Sequence, residues 1–438
     1  MPLSIIELND SEIRVASGTD IILRDPGYAV IRPDRIETGA DAWKIARNYP
    51  RETSNRYWSQ LNQDSLITPS RLARHNADLA YAQLVAIHGQ AGKPEEVLFA
   101  VPGNYSRDQL SLLLGIVQAC PFSAVGLVDS AIATASALAG PGKYIYLDIH
   151  LHNTVITTLD VSDKVSRMSV KVVDNNGTSD IYDTCAGFIS DQFIDQSRFD
   201  PLRHGESEQS LYELIPQCLS TLKTSGEASL EILYNGKRYQ AKIFKVALLE
   251  RLQSHYEKIY RELEESTTKL ISDRLAMLPG FADNLRHMIP VDEKSVFKGC
   301  QMNLMTIRSS GPSLSFITTL PATKSPIITI SKQQSPKKTE RNPPQTAQTT
   351  HVLINNRAYP LNGVLYLSAN GNVSKSADDN SHCSVGLKGL SAELKPVSNL
   401  AVYINGNRVS SAVNTVPGDT VSFAGSDTII RFIEVTGN

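Results

Sequence analysis

The sequence predicts an α/β domain followed by a small all-β sandwich, and three observations carry that prediction. Residues 1–321 mix strand and helix signals in alternation, the pattern of strands layered against helices. Residues 322–350 (ATKSPIITISKQQSPKKTERNPPQTAQTT) are rich in Lys, Gln, Ser, Thr and Pro, with Ser325-Pro326, Ser335-Pro336 and Pro343-Pro344. That composition has too little apolar surface to bury a core, so most of it reads as a flexible linker. The short IITI run at 327–330 is expected to pack on the preceding domain as a last strand. Residues 351–438 carry strand signals only.

The first domain opens on the strands LSIIEL, EIRVAS and YAVI. A helix is expected over 70–90, its apolar residues at helical spacing and Ser70 or a neighbour as its cap. EEVLFAVP is an apolar strand, and Ser106 opens the next helix. The strand SAVGLVD, the small-residue helix SAIATASALAG and the strand region KYIYLDIHLHNTVITTLDV follow. A long amphipathic helix is predicted over 245–272, with Glu250, Arg251, Glu257 and Lys258 on a solvated face. Beyond the linker, HVLI, VLYLS, LAVYI, TVSF and IIRFIEV alternate with turns such as Asn355-Asn356, Asn370-Gly371 and Asn405-Gly406. Short strands at that spacing predict a sandwich.

Composition narrows the function classes. The 438 residues carry 43 Lys+Arg against 45 Asp+Glu, so no whole-protein footprint for nucleic acid is expected. No run approaches the roughly 18 apolar residues of a membrane span. MPLSIIELND has neither a basic start nor a long apolar stretch, so no secretory signal is expected. Five cysteines, at 120, 185, 218, 300 and 383, form no C-x-x-C. An odd, widely spaced set fits reduced thiols and a cytoplasmic setting. No H-E-x-x-H and no G-x-S-x-G occurs. His75 and His88 are too far apart on one helix to share a metal. Lys337, Lys338 and Arg341 read as solvated linker charge.

Three segments carry a resemblance. VLFAVPGNYSRDQLSLLLGIVQACPFSAVGLVDSAIATASAL (97–138) resembles the strand–helix–strand–helix segment of DnaK-type heat-shock chaperones, which belong to the actin-like ATPase superfamily. LKTSGEASLEILYNGKRYQAKIFKVALLERLQ, from Leu222, is similar to that family's helix end, strands and following helix. LPGFADNLRHMIPVDEKSVFKGC (278–300) resembles the helix after its adenosine motif and a final strand-to-helix turn with its glycine, Gly299. The resemblance implies a two-lobed actin-like (ribonuclease-H-like) fold over 1–321, with a nucleotide cleft between the lobes.

The family's cleft needs Asp-x-Gly loops, because phosphate oxygens must approach backbone N–H groups closely and an Asp must orient Mg²⁺. Here the first hairpin has Glu7 and Asn9 where Asp and Gly are expected. The second keeps Asp148 but has His150, Leu151 and His152 in place of the glycines, followed by Asn153. The adenosine turn reads Ser272-Asp273-Arg274-Leu275-Ala276 without a Gly-Gly pair, and the catalytic Glu falls on Ser130. The family's adenosine-gripping helix falls on Pro216, Leu219 and Ser220, and the glycine pair after the second hairpin reads Ile181-Tyr182. Lys44 and Asp148 are the surviving matches. The expectation is a vestigial cleft of Glu7, Asn9, Lys44, Asp148, His150, His152, Asn153 and Arg274, with no catalytic residue and no cofactor, ATP and Mg²⁺ being the alternative. Asp148, His150 and His152 alternate along the predicted strand, but i and i+4 lie about 13 Å apart at the usual rise. A degenerate hairpin is therefore preferred to a zinc site.

SHCSVGLKG, LAVYINGNRV, VPGDTVSF and IIRFIEV are together similar to the second half of a forkhead-associated domain. That family reads phosphothreonine with an Arg and a Ser in adjacent loops. Ser381, His382 and Asn405 are the candidate partner-binding loop residues, but Ser368-Ala369 stands where Gly-Arg is expected. The expected function is a catalytically inactive, DnaK-like pseudo-ATPase that scaffolds protein partners in a bacterial-type cytoplasmic assembly, without nucleic acid or membrane insertion. Two alternatives stand beside it: an atypical ATP-binding chaperone-like or actin-like nucleotide switch, and a phosphopeptide-binding adaptor.

Overall fold

A computed structural model describes residues 3–309, 314–322, 350–354, 357–378, 380–388, 391–398, 400–404, 407–409, 411–415, 418–424, 426 and 430–433. The chain forms two compact units, residues 1–331 and 332–438. The expected linker core, 323–349, lies outside the described residues, as do its IITI run and Ser-Pro pairs. Among the described residues no helix is long and apolar enough to cross a membrane.

The first unit is mixed α/β, with ten α-helices among the described residues. It begins β1 (Ser4–Glu7), β2 (Ile13–Ser17) and β3 (Asp20–Asp25), followed by β4 (Ala29–Ile31), β5 (Ile36–Thr38), α1 (Gly39–Trp43) and β6 (Thr53–Ser54). Then come α2 (Asn76–Gln90), β7 (Glu96–Val101), α3 (Arg107–Gln118), β8 (Ser123–Asp129) and α4 (Ser130–Leu138). The chain continues through β9 (Gly142–Ile149), β10 (Asn153–Val161), β11 (Lys164–Asp174), α5 (Thr178–Ser197) and α6 (Gly205–Thr224). The hairpin β12 (Glu227–Tyr234) and β13 (Lys237–Phe244) leads to α7 (Lys245–Tyr260), β14 (Thr268–Ile271) and α8 (Asp273–Ala276). Last come β15 (Met288–Pro290), α9 (Ser295–Met302), α10 (Leu304–Ile307), β16 (Phe316–Ile317) and β17 (Thr319–Pro321).

Two six-stranded sheets share a five-strand order, the sixth strand being added on the parallel side in the first (β16) and on the meander side in the second (β17). The first has the order β16-β8-β7-β1-β2-β3 and the second β15-β14-β9-β10-β11-β17. In each, a leading strand (β1 or β9) makes an antiparallel meander on one side. On the other side it pairs in parallel with strands that arrive after helices. The parallel strands are buried apolar runs, as sheets covered on both faces require.

Local chemistry sets several boundaries. Ser106 Oγ accepts from Gln109 N at 3.2 Å and Gln109 Oε1 accepts from Ser106 N at 3.0 Å, a capping box that starts α3 where the sequence places it. The expected helix over 70–90 starts later, at Asn76. Ser70 Oγ instead accepts from Leu72 N and Ala73 N, both at 3.1 Å, and so caps a local turn. The helix expected over 245–272 ends at Tyr260. Residues 268–271 are drawn into the parallel slot beside β9, which buries Leu270 and Ile271 completely. Tertiary pairing overrides the helical pattern there.

Gly299 also departs from expectation. It lies inside α9 rather than in a strand-to-helix turn. A Cβ at that position would overlap the Ala133 carbonyl of α4. All nine residues of α4 are buried, and the small side chains on both helices permit this close crossing.

The described residues of the second unit are all-β. Antiparallel sheets of six and five strands share one core built on Val352, Leu367, Val385, Leu394, Val402, Val421 and Phe432.

Candidate functional site

The two leading strands end beside one another, and their hairpin turns form a buried polar cluster. Glu7 ends β1, Asn9 and Asp10 form the first turn, Asp148 lies near the end of β9, and Arg274 comes from α8. β9 stops at Ile149, so His150 and His152 sit in a turn. The expectation that Asp148, His150 and His152 share one strand face is therefore corrected. The chain reverses here, with His150 N donating to Asn153 O at 2.8 Å. Among the described residues no group of three His, Cys, Asp or Glu side chains is arranged to hold a metal ion.

Arg274 organises the cluster. Its guanidinium donates to both Glu7 carboxylate oxygens (3.2 and 2.8 Å) and to Glu12 O (2.9 Å), and stands 3.7 Å from Asp148 Oδ1. Glu7 and Asp148 are each only 3% exposed. Arg14 makes a second fork, onto Asp273 (3.0 and 2.6 Å), and pairs with Glu12. Burial acts to lower the pKa of Arg274, but Glu7 and Asp148 outweigh it and hold the value well above the usual one. Burial acts to raise that of Asp273, and the hydrogen bonds from Arg14 bring it below the ordinary carboxylate value.

Side chains of the first hairpin reach both turns. Asn9 Nδ2 donates to Asp148 Oδ2 (2.9 Å) and Ile149 O (3.0 Å), and Asn9 Oδ1 accepts from Ser11 N (3.0 Å). Asp10 Oδ1 accepts from Leu151 N at 2.8 Å and stands 3.5 Å from His150 Nδ1. Burial acts to raise the Asp10 carboxyl, but His150 and the Leu151 N–H hold it below its ordinary value. The N-terminus of α5 turns to the same hairpin: Thr178 N and Ser179 N donate to His150 O and Leu151 O, each at 2.9 Å. Gly177 permits that approach, since a Cβ there would overlap the Leu151 carbonyl. His152 Nε2 donates to Asn55 O at 2.9 Å, which fixes its neutral tautomer because a carbonyl only accepts. Burial holds its pKa below the ordinary value.

Thus Glu7, Asn9, Asp148, His150 and Arg274 meet in one network, with His152 and Asn153 at its edge. Lys44 stands apart, 62% exposed at its side chain and 3.9 Å from Asp41. Asp10, Arg14 and Asp273 belong to the network and were not singled out from the sequence, although each lies within a candidate hairpin or turn. Asp129, one residue before Ser130, is fully buried, caps α4 through Ala131 N and pairs with Arg167 at 2.7 Å. Pro216 and Leu219 lie within α6, and Leu219 belongs to its buried face. Several buried atoms, including Asp148 Oδ1, His150 Nε2, His152 Nδ1 and Asn153 Oδ1, have no hydrogen-bond partner among the described residues.

A second link joins the segment after α1 to α5 and α6. Arg47 lies over the Tyr212 ring, 3.5 Å from its centroid, and reaches Asp183 (3.2 Å) and Glu208 (3.4 Å). Its backbone N–H donates to Gln209 Oε1 at 3.1 Å, and Gln209 Nε2 donates to Trp43 O at 3.0 Å.

In the second unit, Ser381 Oγ donates to Asp378 Oδ1 at 2.7 Å and is 7% exposed as a residue. His382 Nδ1 lies 3.1 Å from Ser398 Oγ, and its ring meets Phe423 edge-on. Asn405 lies outside the described residues. No protein-family model matches this chain, and no curated protein matches it.

Proposed function

We propose that the chain is a non-catalytic, DnaK-like scaffold: a pseudo-ATPase with an actin-like first domain and a forkhead-associated-like sandwich, both given over to binding protein partners. The five-strand order shared by the two sheets, with hairpins from both leading strands facing one cluster, supports the actin-like reading. One observation carries the functional reading. The carboxylates of Glu7, Asp10 and Asp148 each already face a cation or N–H donor of the chain itself. Arg274 bridges Glu7 and Asp148, where a nucleotide would have to bring Mg²⁺. The Asp10 carboxylate takes the Leu151 N–H, where a phosphate would have to sit. Binding Mg-ATP would require breaking a buried ion pair before any new contact formed, at a cost of roughly 3–5 kcal/mol.

The sandwich reading as a phosphothreonine reader gains no support from Ser381, whose hydroxyl is engaged by a carboxylate that would repel a phosphate. Calorimetric titration of the full chain with Mg-ATP, Mg-ADP and metal-free ATP tests the proposal. The partnerless atoms of Asp148, His150 and Asn153 are the groups a residual ligand would address. No binding is expected up to about 1 mM, which corresponds to about −4 kcal/mol. Micromolar binding would replace this reading with the nucleotide switch.

A further inference from the structure

Away from the hairpin cluster, three segments of the first unit meet around a recess of about 530 Å³. They are the C-terminal end of α5, the turn before α6 and the β12–β13 turn. Each brings a basic residue: Arg198, then Arg203 with His204, then Lys237. All four are exposed. Arg198, Arg203 and Lys237 make no ion pair and no side-chain hydrogen bond among the described residues. The rest of the same hairpin behaves differently. Arg238 pairs with Glu231 and Lys242 with Glu227, each at 2.8 Å. Among the described residues Asp200 is the only acid lining the recess, and its Oδ1 is already taken by Ser190 Oγ and Leu202 N, both at 3.0 Å.

The position of these cations is set by the backbone. Arg198 caps α5 in the left-handed region, at φ 55°, where Gly or Asn is the usual residue. Asn235 (φ 49°) and Gly236 (φ 74°) make the tight turn that presents Lys237. The floor is aromatic. Phe199 stacks on Tyr239 at 4.0 Å between centroids, and Tyr234 stacks on His204 at 5.7 Å.

We infer that this recess docks an acidic peptide segment of a partner protein. Two unpaired guanidinium forks and an ammonium suit carboxylates, which Arg can grip with two hydrogen bonds. The aromatic rings already stack on one another, so a nucleobase finds little free face. A small ligand would stay wet beside four exposed side chains, whereas specific small-molecule sites bury most of their ligand. A chain running across the surface can meet all three segments at once. The inference does not depend on the state of the hairpin cluster and would stand even if that cluster bound nucleotide.

The test is fluorescence anisotropy of the full chain with a fluorescein-labelled hexaglutamate peptide, a labelled oligothymidylate and inorganic phosphate as competitor. Expected is hexaglutamate binding that weakens with added salt. It should fall at least about tenfold in the Arg198→Gln/Arg203→Gln/Lys237→Gln variant and stay unchanged in an Arg71→Gln/Arg107→Gln/Lys143→Gln control. Circular dichroism checks the folding of both. If the triple variant misfolds, Arg203→Gln alone must still weaken the peptide. Three outcomes overturn the inference: no hexaglutamate binding by the wild-type chain, equal loss in the control variant, or preference for oligothymidylate or phosphate.

Discussion

Replacing Arg274 with Met removes a charge but keeps an unbranched stem of similar reach. Glu7 and Asp148, each 3% exposed, then lose their shared guanidinium. Breaking a buried pair from one side costs about 3–5 kcal/mol, because a buried charge is left uncompensated. Two contacts soften the loss. Arg14 Nη1 remains 4.0 Å from Glu7, and Asn9 Nδ2 still donates to Asp148 at 2.9 Å. The lower end of the range therefore applies, about 3 kcal/mol, or a Tm drop of about 4 °C for a unit of this size. Urea unfolding followed by circular dichroism reads the loss as a shifted midpoint at constant slope. The Glu7→Gln/Arg274→Met double variant should recover about 1 kcal/mol or more, since it removes one stranded carboxylate. An Arg274→Met variant within about 0.5 kcal/mol of wild type would refute the reasoning. So would a double variant no more stable than the single one. Either result would mean that the network is solvated and that its charges do not hold the two hairpins together.

Arg47→Ala should loosen the link between the segment after α1 and helices α5 and α6. Amides of residues 43–49 and 205–209 should exchange faster while global stability falls by only about 1–2 kcal/mol, because Arg47 is partly exposed. His152 provides a pH test. Burial lowers its folded-state pKa from 6.5, so folding prefers the neutral ring. Its stabilising contribution is complete above pH 6.5 and declines as the pH falls from there toward the folded value. His255, lowered by burial in the same way, acts in the same direction. His152→Gln should therefore flatten, without abolishing, the decline in urea midpoint between about pH 7.5 and 5.5; an unchanged slope would exclude a contribution from His152. Gly299→Ala should cost about 2–3 kcal/mol by forcing α4 and α9 apart, read as a lowered thermal midpoint; a neutral result would mean that the crossing is looser than its geometry.

Much of the fold was legible because its signals are local. The capping box at Ser106 and the apolar run at 96–101 depend on residues a few positions apart. So does the small-residue character of α4. Where the reading failed, distant partners decided. Residues 268–271 continue a helical pattern, yet β9 and β15 offer them a parallel slot whose pairing and burial outweigh it. Gly299 reads as a turn residue until Ala133, 166 positions away in sequence, is seen against it.

The candidate site divides in the same way. Residue identity alone shows that neither hairpin turn contains glycine and that Glu7, Asn9, Asp148 and His150 lie in or beside those turns, with Arg274 far along the chain. Bulky and polar side chains at both turns are legible because they need no partner to be identified. What those side chains do with one another depends on the folded arrangement. Arg274 is 267 residues from Glu7, and Leu151 is 141 from Asp10. An ion pair or a captured N–H depends on distances that fall off within a few ångströms, and sequence spacing says nothing about them. The same holds for the basic recess, where Arg198, Arg203 and Lys237 are ordinary exposed cations until a helix end, a turn and a hairpin turn bring them together.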